Sequence, residues 1–208
     1  IGGHGTSIGG IIIDSGTLDW TADPKRHPVM NDPDQSYWGI SFAKVVPEVL
    51  GAPIAYVVRA RFVMLRDLGP AISPTNSFNF IQGLETLPLR FRVHQENAEK
   101  VAHYLNSRSE VNKVIFPNLH DDEENNNRTK KYLNKGNGPL VGFELKGGKE
   151  AGQQFIDNLK MIYHVANIGD VRTLAIHPAT TTHSQLSEED QLKTGVTPGY
   201  IRLSVGLE

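Results

Sequence analysis

The stretch YIRLSVGLE, residues 200–208, sets Arg202 and Ser204 on one side of an alternating pattern and Ile201, Leu203 and Val205 on the other. A period of two is that of a strand with one apolar face, the opposite face here carrying a guanidinium between small neighbours. A planar guanidinium with room around it takes a carboxylate in a two-pronged grip. On the pattern alone, a structural ion pair accounts for Arg202 as well as a ligand contact does. Other residue types offer less. His177 and His183, in HPATTTH, stand six places apart, which fits neither a helix face nor the usual zinc spacings. No metal site is expected there, and loop support is the better reading. The opening IGGHGTSIGG has the glycines of a phosphate cradle but lacks Gly-Lys-Ser/Thr, and its glycines precede an apolar run. Close backbone packing accounts for them better.

Composition narrows the classes further. Without cysteine, the chain has no disulfide, thiolate metal site or cysteine nucleophile. A formal net charge of −2 gives no general attraction to nucleic acid or anionic membranes, so neither is an expected partner. No run approaches the roughly 18 apolar residues of a membrane span. The first residues lack the order of a signal peptide, and a cytoplasmic location is expected.

The elements that must position Arg202 follow from periodicity and punctuation. IGGIIID, Ile8 to Asp14, reads as a buried strand, and the Pro-, Asp- and Gly-rich Ser15–Ser36 as a long surface loop. A helix is expected over Ala43–Leu68, stopped by Gly69-Pro70. A long helix is expected within Ser73–Ser107, bent or ended in its first part by Pro88. Strands over Val111–Pro117 and Gly138–Leu145 enclose a polar helix whose acidic start and basic end suit its dipole. Ile156, Leu159, Lys160 and Tyr163 predict an amphipathic helix over Lys149–Val165. RTLAIHP and YIRLSVGLE complete a small α/β sandwich beyond about residue 85.

Together these segments resemble one family, the pyridoxal-phosphate (PLP) enzymes of cysteine and methionine metabolism, and within it the sulfhydrylase branch. IGGHGTSIGGIIIDSG resembles the stretch directly after the family's cofactor lysine. RDLGPAISPTNSFNFIQGLETLPLR resembles the approach to the domain-crossing helix, and NIGDVRTLAIHPATTTH with YIRLSVGLE the two segments that meet the substrate. The resemblance implies an α/β chain of fold type I, the PLP-dependent transferase fold. Residues 1–85 would end the large PLP-binding domain, and 86–208 would form most of the small C-terminal domain, truncated at its end.

The resemblance also implies pyridoxal 5'-phosphate as cofactor, with its Schiff-base lysine upstream of Ile1. No catalytic residue is then expected in this chain, and its cofactor contacts stay open. Arg202 matches the arginine that binds the substrate α-carboxylate, and Asn167, in NIGD, a position that assists it. Thr182 and His183 belong to the substrate-facing segment without an assigned role, and the loop at Tyr37-Trp38 would border the active-site entrance. The implied reaction is γ-replacement on O-acetyl-L-homoserine by sulfide or a thiol, in an intact enzyme that is usually a homotetramer. Cystathionine γ-synthase or γ-lyase activity is the alternative within the family. A non-catalytic structural or assembly module is the alternative outside it.

Overall fold

The Pro-, Asp- and Gly-rich stretch predicted as a loop winds toward Tyr37 with only short helical turns. In the computed structural model, which describes residues 1–208, residues 9–77 form one unit and residues 1–8 with 78–208 another. In the first, α1 (Pro28–Asn31), α2 (Phe42–Leu50) and α3 (Ala55–Arg59) bury Met30, Tyr37, Phe42 and Ala55 in a small core. A π-helical stretch, Ala60–Asp67, continues α3. The Tyr37 hydroxyl lies 2.8 Å from the Phe62 carbonyl of that stretch and 2.9 Å from Asp67 Oδ2, two acceptors for one proton. Trp38, beside it, is 92% exposed.

Two expectations fail in this unit. Ile8–Asp14 is not a buried strand: Ile11, Ile12 and Ile13 are exposed, and no strand pairs with them. Branched side chains favour extended backbone, but a strand also requires a hydrogen-bonded neighbour. The single helix over Ala43–Leu68 is likewise broken. Gly51, at φ +69°, ends α2 by donating its N–H to the Pro47 carbonyl at 2.9 Å, and Pro53 follows before α3.

The long helix α4 runs from Pro74 to Asn106 and does not end at Pro88. Proline removes one backbone bond, to the carbonyl of Leu84, whose surroundings are open to water. Beyond α4 come β1 (Val111–Ile115), α5 (Glu123–Tyr132), β2 (Leu140–Leu145) and α6 (Gly148–Asp157). Then follow β3 (Tyr163–His164), β4 (Leu174–Ile176), α7 (Glu188–Lys193) and β5 (Tyr200–Ser204). The predicted helix over Lys149–Val165 therefore stops early. Asn158 turns its amide onto the Gln154 carbonyl, and Tyr163 and His164 pair in parallel with β4 instead. A sheet edge decides what helical spacing alone would extend. The acidic start of α5 is as predicted, with the Asp122 carboxylate accepting the Asn125 N–H at 2.7 Å.

The sheet has the order β1-β2-β5-β4-β3, with β5 in the middle and antiparallel to both neighbours. Val141, Phe143, Ile201 and Leu203 point to the covered face, where Ala98 and Ala102 of α4 are fully buried. Two alanines four apart form a smooth helix stripe, which lets α4 lie close to the sheet. Phe143 meets Phe155 of α6 edge-to-face, ring centroids 5.4 Å apart.

The opening glycines do pack backbone against backbone. A Cβ on Gly83 of α4 would stand 2.7 Å from Gly2 Cα and 2.8 Å from the Ile1 carbonyl oxygen. The buried Arg90 secures the contact, donating to the Ile1 carbonyl at 2.9 Å and the Gly83 carbonyl at 2.6 Å. Gly83→Ala should therefore destabilise the chain by about 1–3 kcal/mol through overpacking, despite the better helix propensity of alanine. A denaturant midpoint that stays level or rises would contradict this packing.

Candidate functional site

Because β5 alternates, Tyr200, Arg202 and Ser204 share the sheet face opposite the core, and register places Arg202 between Gly142 of β2 and Ile176 of β4. Gly142 matters for space. A Cβ there would come within 2.8 Å of the Tyr200 ring. A hollow of about 260 Å³ opens here, lined by Arg202, Tyr200, Gly142 and His120 among others. Burial raises the pKa of the Tyr200 phenol, so it stays neutral beside the guanidinium.

Arg202 makes no ion pair with any carboxylate of the chain. Its Nη2 donates to the Ala166 carbonyl at 2.5 Å and reaches the Asn167 carbonyl at 3.5 Å. Its Nε is buried without a partner. The charge is thus held by backbone oxygens, and the outer guanidinium edge keeps donors for an anion. Asn167 is exposed, and its side-chain amide makes no hydrogen bond within the chain. The structure brings the two predicted binding residues together, through the backbone of one and the guanidinium of the other.

The turn carrying Asn167 is fastened at several further points. Ser204 Oγ accepts the Gly169 N–H at 2.9 Å, and Gly169 adopts φ +79°. Asp170, nearly buried, grips Arg172 with both oxygens, Oδ1 to Nε and Oδ2 to Nη2, each at 3.0 Å. The Arg172 guanidinium also lies over the Tyr163 ring, 4.8 Å from its centroid. Val171 donates its N–H to the Gly3 carbonyl, and Leu207 donates to the Val171 carbonyl, both at 2.8 Å. The opening segment and the stretch after β5 therefore hold the same turn. Ser204 and the Asp170–Arg172 pair were missed in the sequence; the period of two around Arg202 was the available signal for Ser204.

The histidines act in support. His177 is buried, its Nε2 donating to the Pro198 carbonyl at 2.7 Å and its Nδ1 facing Thr180 Oγ1 at 2.9 Å. His183 Nδ1 meets only Thr182 Oγ1, at 2.9 Å. Gln191 of α7 ties this segment down by donating to the His183 carbonyl at 2.9 Å.

The pattern of the family described as Cys/Met metabolism PLP-dependent enzyme matches residues 1–208. The chain belongs to that family. It is 49% identical over 212 residues to O-acetyl-L-homoserine sulfhydrylase of Leptospira meyeri, covering 100% of this chain and 47% of that protein. It is 43% identical over 208 residues to homocysteine synthase of Schizosaccharomyces pombe, covering 100% and 47%. The chain thus spans about half the length of the curated relatives it matches.

Among solved structures, one carried under the name O-acetylhomoserine (thiol)-lyase, from Campylobacter jejuni, matches with TM-score 0.78 and 40% identity. It covers 100% of this chain and 48% of that one, and it holds a pyridoxyl-lysine phosphate. Cystathionine gamma synthase of Xanthomonas oryzae matches with TM-score 0.66 and 35% identity, over 76% of this chain and 40% of that one.

The pyridoxyl phosphate of the Campylobacter jejuni structure is joined to a lysine, and every lysine here is exposed. These 208 residues therefore do not fit the cofactor's attachment.

The Asp170–Arg172 pair has a pH signature. Hydrogen bonding and charge from Arg172 hold the Asp170 carboxyl below its ordinary 3.8. A lowered folded pKa stabilises the chain above the unfolded value, and that stabilisation is lost as pH falls below 3.8 toward the folded value. Asp170→Asn should lower the urea midpoint at neutral pH and flatten its fall in acid. Parallel pH curves for the two proteins would contradict the pairing.

Proposed function

We propose that this chain supplies the substrate-carboxylate half of a PLP-dependent enzyme that replaces the γ-acetoxy group of O-acetyl-L-homoserine with sulfide or a thiol. The γ-carbon–oxygen bond breaks, acetate leaves with the electron pair, and sulfur bonds to the same carbon, giving homocysteine or a thioether. The observation that carries this reading is Arg202, a guanidinium with no carboxylate partner in the chain, which reaches the backbone carbonyl of the exposed Asn167. The names of the relatives supply the substrate class, O-acetylhomoserine. Pyridoxal phosphate would be held by other parts of the intact enzyme, and there it would supply the electron sink that makes protons near the amino group acidic.

The work of this chain's residues is orientation. Arg202 and Asn167 hold the α-carboxylate so that the reacting carbons stay aligned, which lowers the entropic part of the barrier. We further place residues 1–85 in the large domain and 86–208 in the small domain of the intact protein, as a homotetramer in the cytoplasm. Exposed apolar residues such as Ile12, Ile13, Phe78 and Ile81 are surfaces that the remaining chain or other subunits would cover. No helix is long and apolar enough to cross a membrane. The cystathionine-forming alternative has support in the likeness to cystathionine gamma synthase; it would use the same carboxylate grip with cysteine as the nucleophile.

The full-length protein should convert O-acetylhomoserine and sulfide to homocysteine and acetate, faster than it uses cysteine. Arg202→Ala should raise KM for O-acetylhomoserine by about 10- to 100-fold, the range of a charge-assisted hydrogen bond. Arg202→Lys should recover only part of that, because an ammonium has no fork. Unchanged KM in both variants would remove Arg202 from substrate binding, and a preference for cysteine would favour the alternative.

A further inference from the structure

We infer that Ser204 is a positioning residue for the carboxylate grip, acting through the turn 166–169 without touching the substrate. The inference rests on the reading of Arg202 given above. Ser204 is 1% exposed, and its oxygen accepts the Gly169 N–H at 2.9 Å. It follows Arg202 by two residues, so both side chains leave the same face of the same strand. Arg202 holds the turn by its carbonyls at Ala166 and Asn167, and Ser204 holds it by its amide at Gly169. Asn167 is thus held at its own carbonyl and, two residues on, at the Gly169 amide.

The chemistry of these bonds assigns different tasks. The Arg202 guanidinium serves both the turn and the ligand, so any movement of the turn carries the guanidinium with it. Ser204 serves only the turn. Without its hydroxyl, the Gly169 N–H loses its acceptor, and the Gly169 end of the turn is released from β5. Asn167 and the outer edge of Arg202 then no longer share one fixed geometry. A site held loosely binds its ligand less well although every contacting group is still present. The loss falls on binding of the carboxylate-bearing substrate, and sulfide, which has no carboxylate, is unaffected.

The test uses the full-length protein with Ser204→Ala, alongside Arg202→Ala. Ser204→Ala should raise KM for O-acetylhomoserine about fivefold, the worth of one ordinary hydrogen bond. KM for sulfide and kcat should change less than about twofold. Hydrogen exchange at residues 166–170 should quicken in the same variant, with the rest of the chain unaltered. Faster exchange with unchanged KM would overturn the inference, as would kcat and both KM values deteriorating together with a lower melting temperature. If Arg202→Ala raises KM and Ser204→Ala does not, the inference alone fails. If Arg202→Ala leaves KM unchanged, the reading beneath it fails and the inference falls with it.

Discussion

Arg202 donates to the carbonyls of Ala166 and Asn167 and Ser204 accepts the Gly169 N–H, and these bonds, on which the order of the site depends, join the middle strand of the sheet to an exposed turn. A turn with one glycine at positive φ, an exposed asparagine and an exposed Ile168 buries little apolar surface to fix it. The strand beneath it is the opposite case. Ile201 and Leu203 are buried between the sheet and α4, and both edges of β5 are paired. Rigidity passes from a packed core to a surface turn through two polar side chains.

That arrangement also explains why other parts of the chain converge on the same few residues. Gly3 accepts a hydrogen bond from Val171, and Arg90 anchors Ile1 against α4. The opening segment is therefore fixed to the turn beside Arg202. Asp170 and Arg172 close the turn with a planar, two-point ion pair, a stronger and more directional link than a point charge would give. Small residues make the approaches possible. Gly83 admits the opening segment, and Gly142 leaves space for the Tyr200 ring next to Arg202.

Much of this was legible in the residues. The alternation in YIRLSVGLE set Arg202 opposite the core, and the runs VNKVIFP, GPLVGFEL and RTLAIHP were read as strands where β1, β2 and β4 stand. Ile8–Asp14 misled because an apolar, branched run shows a preference but not whether a neighbouring strand exists. Leu159, Lys160 and Tyr163 misled because helical spacing is a local signal, and pairing of β3 with β4 is not. Ser204 was hidden for a related reason. The period of two gave its face, but its role depends on an amide 35 residues away, which that period does not reveal.

The most direct test of the carboxylate grip is a crystal structure of the full-length protein with homoserine bound as a substrate analogue. The ligand's carboxylate is expected at about 3 Å from the Arg202 guanidinium and beside Asn167, with the Arg202–Ala166 and Ser204–Gly169 bonds intact. A carboxylate held by other residues, or an Arg202 fully turned onto the protein's own backbone, would contradict it.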